Sequence, residues 1–126
     1  MMETLAAMIY AASAGIVVVF QGCLAIGLPW GAASMGGRYP GKYPPKMRVV
    51  ALANMILLGA LIVIVMVEAG LMWSQLAAFS KYAIWFVVVF SGIGTVLNTI
   101  TRSKIERIWA PVSAIQLITS LIVAVS

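Results

Sequence analysis

The chain has 126 residues, 63% of them hydrophobic and 9% charged, with eight Lys/Arg against three Asp/Glu and a formal net charge of +5. A soluble domain carries roughly 25% charged residues, so this composition belongs in a bilayer. There is no His and no Asp, so the usual zinc ligand sets and catalytic triads cannot be assembled, and the lone Cys23 excludes an intrachain disulfide.

The first apolar run covers residues 4–28. It follows Glu3 rather than Lys or Arg and has no convincing small-x-small cleavage site, so it is expected to stay in place as a helix rather than act as a secretory leader. Pro29 is expected to end it. A connection at 29–48 leads to a second run at 49–72, then a third at 82–100, a short connection at 101–107 and a fourth run at 108–125. Each run is near the ~20 residues a helix needs to cross a hydrocarbon core of ~30 Å. Stretches such as ILLGALIVIVMV (56–67) and AIWFVVVF (83–90) lack a polar face, which excludes a soluble bundle. They do not alternate either, which excludes transmembrane strands. The expectation is a single-domain, all-α membrane protein with four transmembrane helices in a bundle.

The first connection holds Arg38, Lys42, Lys46 and Arg48, and the second holds Arg102, Lys104 and Arg107. The other side has only Lys81, with the carboxylates Glu3 and Glu68. By the positive-inside rule both basic loops face the cytoplasm and both termini lie outside. Small multidrug transporters and fluoride channels share this length and helix count. The first helix here lacks the embedded Glu of the former, the chain lacks the phenylalanine and polar-track motifs of the latter, and its charge bias favours a single orientation.

VVVFQG (17–22) recurs as VVVFSG (87–92), and RVVALANMIL (48–57) can be laid on RIWAPVSAIQ (107–116), pairing Arg48 with Arg107. Two readings stay open: two parallel-repeat helical hairpins about an axis along the membrane normal, or chance between Val-rich helices. For close helix contact the sequence offers Ala11, Gly15 and Gly22 in the first helix, Gly59 in the second, and Ser91, Gly94 and Thr95 in the third.

Each run also carries one amide near its basic end: Gln21, Asn54, Asn98 and Gln116. Lipid-facing amides are costly, so all four should turn inward, as interhelical glue in the favoured reading or as the lining of a polar cavity in the other. Glu68 reads as the only carboxylate near an apolar run, placed to reach interfacial water or pair with Lys81. No second carboxylate lies beside it for acid–base work.

The first connection is the most elaborate segment, with four of the five prolines. Trp30 suits the headgroup layer, GAASMGG (31–37) allows positive φ, and RYPGKYPPK (38–46) alternates cations, tyrosines and prolines. One reading is a topological anchor on anionic lipid. A second is an anion site, with backbone N–H groups of Gly36 and Gly37 and the side chains of Arg38, Lys42, Lys46 or Arg102 around a phosphate. A third is docking to a partner protein. No Walker signature follows the glycines, and neither a cofactor nor nucleic acid is expected.

The PWG, MGGRYPGKYPPKMR, IWF and ERIWAP segments resemble a group of small bacterial four-helix integral membrane proteins that carry this type of loop. The resemblance implies a bacterial plasma membrane protein and brings no activity, substrate or binding residue with it. The functional expectation is a non-enzymatic structural or accessory protein that contacts anionic lipid or a partner through its basic loops. The alternative is a small oligomeric transporter or channel built around the amides. An enzyme acting on a lipid phosphate is disfavoured by the lack of His, Asp and a carboxylate pair. Homo-oligomer and membrane-protein partner both stay open.

Overall fold

The computed structural model describes residues 1–126 as four helices: α1 (Met2–Ala25), α2 (Pro45–Glu68), α3 (Ala77–Ile100) and α4 (Trp109–Val125). All four are long and apolar enough to cross a membrane, α3 and α4 when taken with the short helical turns that lead into them. They pack as a ring in which α1–α2 and α3–α4 are hairpins, α1 lies against α4, and the α2–α3 seam is the thinnest of the four neighbouring faces. The ends of α1 and α3 and the starts of α2 and α4 share the basic end of the bundle. The termini and the 69–76 connection form the far end.

The distribution of residues is that of a protein dissolved in lipid. Buried positions include Ser13, Ser80, Ser91, Ser113, Gln116, Thr119 and Ser120, while Ile16, Val19, Ile56, Phe86, Val89 and Val96 face outward. Lipid tails are as apolar as Leu, so helices gain by turning small and polar groups toward one another. Ser13, Thr95, Thr119 and Ser120 return their hydroxyls to carbonyls three or four residues back, leaving no donor for the hydrocarbon to strand. The tightest apolar packing lies toward the far end, around Ala7, Tyr10, Leu61, Val65, Ile84, Val87 and Val123.

Several expected boundaries shift, each for a backbone reason. The first helix stops at Ala25, not Leu28, and its terminator is Gly27 rather than Pro29. Gly27 takes φ +99°, the Gly27 N–H bonds to the Leu24 carbonyl, and the Leu28 N–H reaches back to the Cys23 carbonyl, which is the Schellman arrangement. The same closure ends α2 at Glu68 rather than residue 72, with Gly70 at φ +79° and Leu71 N–H on Met66 O. At its start α2 gains four residues, because Pro44 is extended and Pro45 occupies N1, where no N–H is missed. Lys46 and Arg48 therefore lie in the first turn of a helix rather than in a loop. Likewise α3 begins at Ala77, so Lys81 is helical.

The small-residue face is also rotated from the expected one. Ala6, Ala7 and Ala14 are the buried small residues of α1, whereas a Cβ on Gly15 or Gly59 would meet nothing within 4 Å. Gly22 does abut α2, with Met55 Sδ 3.3 Å from where its Cβ would sit. Glu68, the last residue of α2, accepts a 2.8 Å hydrogen bond from Ser80 Oγ instead of pairing with Lys81.

The first basic connection folds back on itself at Gly31, whose N–H donates to Gly41 O at 2.9 Å. A Cβ on Gly31 would overlap the Tyr39 carbonyl oxygen and come within 2.7 Å of the Gly41 oxygen, so only glycine permits the crossing. Gly31→Ala should cost about 1–3 kcal/mol as an overpacked backbone contact, read as a lowered melting temperature in detergent. Gly36→Ala has open space around it and carries only the φ +66° penalty, on the order of 1 kcal/mol, so a ranking of Gly36 above Gly31 in damage would contradict this geometry.

Candidate functional site: a capped cavity at the basic end

The two basic connections are docked onto each other. Gly36 N–H donates to Glu106 Oε2 at 3.1 Å, Ser103 Oγ donates to the Ala32 carbonyl, and Trp109 Nε1 donates to the Ala33 carbonyl at 3.0 Å. Glu106 is itself fixed from behind by its own N–H on Ser103 Oγ at 3.2 Å. Short helical turns at 31–33, 35–37 and 106–108 present these backbone groups. Together they make a cap across the ends of the helices.

Beneath the cap is a cavity of about 290 Å³. All four amides line it: Gln21 from α1, Asn54 from α2, Asn98 from α3 and Gln116 from α4. They do not bond to one another. Asn98 Nδ2 donates to Ser113 Oγ at 2.7 Å, while Gln21, Asn54 and Gln116 make no side-chain hydrogen bond to protein, a geometry that favours the cavity lining over interhelical glue. Ser91, almost fully buried, also lines the cavity, and its Oγ has no partner. The buried Tyr10 hydroxyl lies close to Ser91 but outside hydrogen-bond geometry. Apolar walls come from Phe20, Phe90 and Trp109, with the Phe20 and Trp109 rings 4.7 Å apart at 53°.

A wider cleft of about 970 Å³ adjoins the cavity and shares Gly94, Leu97, Asn98 and Glu106 with it. Its rim carries Arg38, Tyr39 and Met47 on one side and Ile100, Thr101 and Arg102 on the other. Cavity and cleft thus adjoin along the last turns of α3 and at Glu106, on the basic side of the bundle. Toward the far end it meets the close-packed layer around Tyr10, Leu61 and Ile84.

The structure divides the basic residues singled out from sequence into three groups. Arg48 donates from Nε to the Ala25 carbonyl at 2.8 Å, and Arg107 from Nε to the Thr101 carbonyl at 3.1 Å, so each guanidinium closes the C-terminal end of the preceding helix. Lys42 packs its stem over Gly27 at the same corner as Arg48. Arg38 and Arg102 are exposed on the cleft rim, while Lys46 and Lys104 are exposed at the surface away from it. Trp30 is about half exposed at the start of the cap. The glycines expected to cradle an external anion are already engaged: Gly36 N–H holds Glu106, Gly37 N–H bonds to Ser34 O, and Gly37 packs against Ser103.

Glu106 is the residue that sequence reasoning missed. It is buried, lines both the cavity and the cleft, and has no Lys or Arg within ion-pair distance, so Glu68 is not the only carboxylate near an apolar run. Its place two residues before the fourth run was the available signal, obscured by the three cations in RSKIER. Ser91, Ser113 and Trp109 were likewise unassigned as cavity residues.

Tyr43 is buried under the cap, with its hydroxyl near Ser34 but without a hydrogen-bond partner. Burial raises its pKa above the ordinary tyrosine value, and the nearby Glu106 charge and Tyr39 push the same way. Comparison of the chain with protein-family models, curated proteins and solved structures finds no match.

Two expectations follow from the cap. Glu106→Ala should free the Gly36 N–H and cost roughly 1.5–3 kcal/mol, the worth of a hydrogen bond to a charged group, with faster amide exchange over residues 31–43. Glu106→Gln keeps an acceptor there and should exchange more slowly than the Ala variant. Because the folded-state pKa of Tyr43 is raised, its contribution is present below the unfolded value near ~10 and is lost as pH rises through the folded value. Melting temperature between pH 9 and 11.5 should therefore fall less steeply in Tyr43→Phe than in the parent, and identical slopes would remove Tyr43 as the cause.

Proposed function

We propose that this is a small, non-enzymatic, multi-pass protein of the bacterial plasma membrane that holds a polar ligand or lipid headgroup in the amide-lined cavity, with the basic end in the cytoplasm. The carrying observation is that one amide from each helix faces a single cavity and three of the four make no hydrogen bond to protein. In a bilayer such groups are costly unless water or a ligand completes them. The seven-to-one bias of Lys/Arg between the two ends supports the orientation, and the resemblance of the loop segments supports the membrane. The lone cavity carboxylate, already bound to a backbone N–H, has no acid–base partner beside it, which supports binding over catalysis.

This reading moves the contact inward from the loop surface. Arg48, Arg107, Gly36 and Gly37 serve the fold, so the residues available to a ligand are the amides, Ser91 and Glu106, with Arg38 and Arg102 at the entrance. Exposed Lys46 and Lys104 remain suited to anionic lipid around the protein. Transport is the second reading, favoured by the thin α2–α3 seam. One protomer offers no open pore, because the packed far-end layer would have to part.

Cysteine labelling tests both cavity and orientation. In a Cys23→Ser background, Asn54→Cys should react with a membrane-impermeant maleimide in inverted vesicles and be protected in intact cells, whereas the lipid-facing Ile56→Cys should react in neither. Unreactive Asn54→Cys in both preparations would remove the water-accessible cavity, and labelling only in intact cells would reverse the orientation.

A further inference from the structure

We infer that the ligand is a zwitterion with its phosphate outward and its primary ammonium inward, supplied as the headgroup of an aminophospholipid that enters sideways between α2 and α3. The inference rests on the cavity reading above and deepens it. Its basis is the order of charge from the cleft to the cavity that adjoins it. At the rim stand Arg38 and Arg102, exposed and without a carboxylate in ion-pair distance. Further in comes Glu106, buried and also without a counter-ion. Beyond Glu106 the walls are uncharged amides, Ser91 and aromatic rings.

A buried carboxylate with one backbone hydrogen bond is poorly compensated. A purely anionic headgroup would satisfy the rim arginines and leave Glu106 repelled and unpaired. A neutral polyol would satisfy neither charge. An ammonium on a short spacer from a phosphate satisfies both, because it brings three donors and a positive charge to the depth where Glu106, the amide oxygens and the unpartnered Ser91 Oγ offer acceptors. The Phe20, Phe90 and Trp109 rings favour a cation there through their faces. No other Lys or Arg lines the cavity to compete with the incoming charge.

Lateral entry follows from the walls of the cleft. Leu97 and Ile100 of α3 flank it and are 57% and 68% exposed, so acyl chains can remain in the bilayer against apolar side chains while the headgroup reaches inward. The two sets of walls share Gly94, Leu97, Asn98 and Glu106, so rim and interior are direct neighbours. A soluble phosphoethanolamine carries the same pair of charges and would enter from the aqueous side.

Native mass spectrometry of the purified full chain, titrated with phosphatidylethanolamine or phosphatidylglycerol of matched acyl chains, tests the assignment. The parent should retain the ethanolamine lipid about tenfold better, the equivalent of one charge-assisted contact, and Glu106→Gln should erase most of that preference while keeping the Gly36 hydrogen bond. Arg38→Gln combined with Arg102→Gln, at exposed rim positions whose side chains make no hydrogen bond in the fold, should lower retention of both lipids. Equal retention of the two lipids by the parent, or an unchanged preference in Glu106→Gln, overturns the inference even if Asn54→Cys labelling shows the cavity to be real. If Glu106→Gln does not fold, undiminished ethanolamine lipid binding by the double arginine variant overturns it instead. Adding phosphoethanolamine separates the sources: failure to displace the lipid supports lateral entry, and displacement at equal concentration overturns the lipid source in favour of the soluble ester.

Discussion

The two connections at the basic end are tied to each other by the backbone of residues 32–36, through Ser103, Glu106 and Trp109. Everything else about the cavity depends on that docking. Without it the segment between α1 and α2 would be a basic strap on the membrane surface, and the amide layer would open directly to water. With it, carbonyls of Ala32 and Ala33 and the N–H of Gly36 are consumed by the second connection, and a residue-sized chamber lies beneath. The cap also explains why the loop is rich in glycine: Gly31 must pass the Tyr39 and Gly41 carbonyls, and Gly36 must turn at positive φ to aim its N–H at a carboxylate.

The second constraint is the solvent. In hydrocarbon the backbone is satisfied by helix formation, and polar side chains must find partners inside. Most do so locally, as the Ser and Thr back-bonds along α1, α3 and α4 show. The amides do not, because their longer side chains reach past their own helix into the middle of the bundle. Their convergence beside the thinnest seam concentrates hydrogen-bonding capacity in one place. A structural glue would have used that capacity up between helices.

Hydropathy made the four helices legible, and the inward turn of the amides could be read from cost alone. Helix ends were less legible, because a hydropathy run continues through Leu28 and through Leu71 and Met72 while the backbone has already closed on Gly27 and Gly70. Which cations stay free was not legible at all. Arg38 and Arg48 look alike in sequence, yet one faces the cleft and the other caps α1, a difference created by the helical start at Pro45. Glu106 escaped notice because its neighbours are basic and a carboxylate among cations reads as a surface ion pair. Its real partner is a backbone amide seventy residues earlier, a contact no local pattern encodes.

The two helical corners at the basic end are built alike but differ in depth. Arg48 and Arg107, which the alignment of RVVALANMIL with RIWAPVSAIQ pairs, do the same work, each closing the end of the helix before it. The hairpins therefore share a corner design. They differ in length: pairing VVVFQG with VVVFSG sets Ala25 against Thr95, yet α1 stops at Ala25 while α3 runs on to Ile100. The early stop at Gly27 releases the chain of the first hairpin one to two turns lower in the bundle. The longer first connection then has depth in which to fold over the amides, and the shorter second one supplies Ser103, Glu106 and Trp109 as its anchor points. One corner of the bundle is a roof, and the carboxylate that holds that roof thereby lines the chamber beneath it.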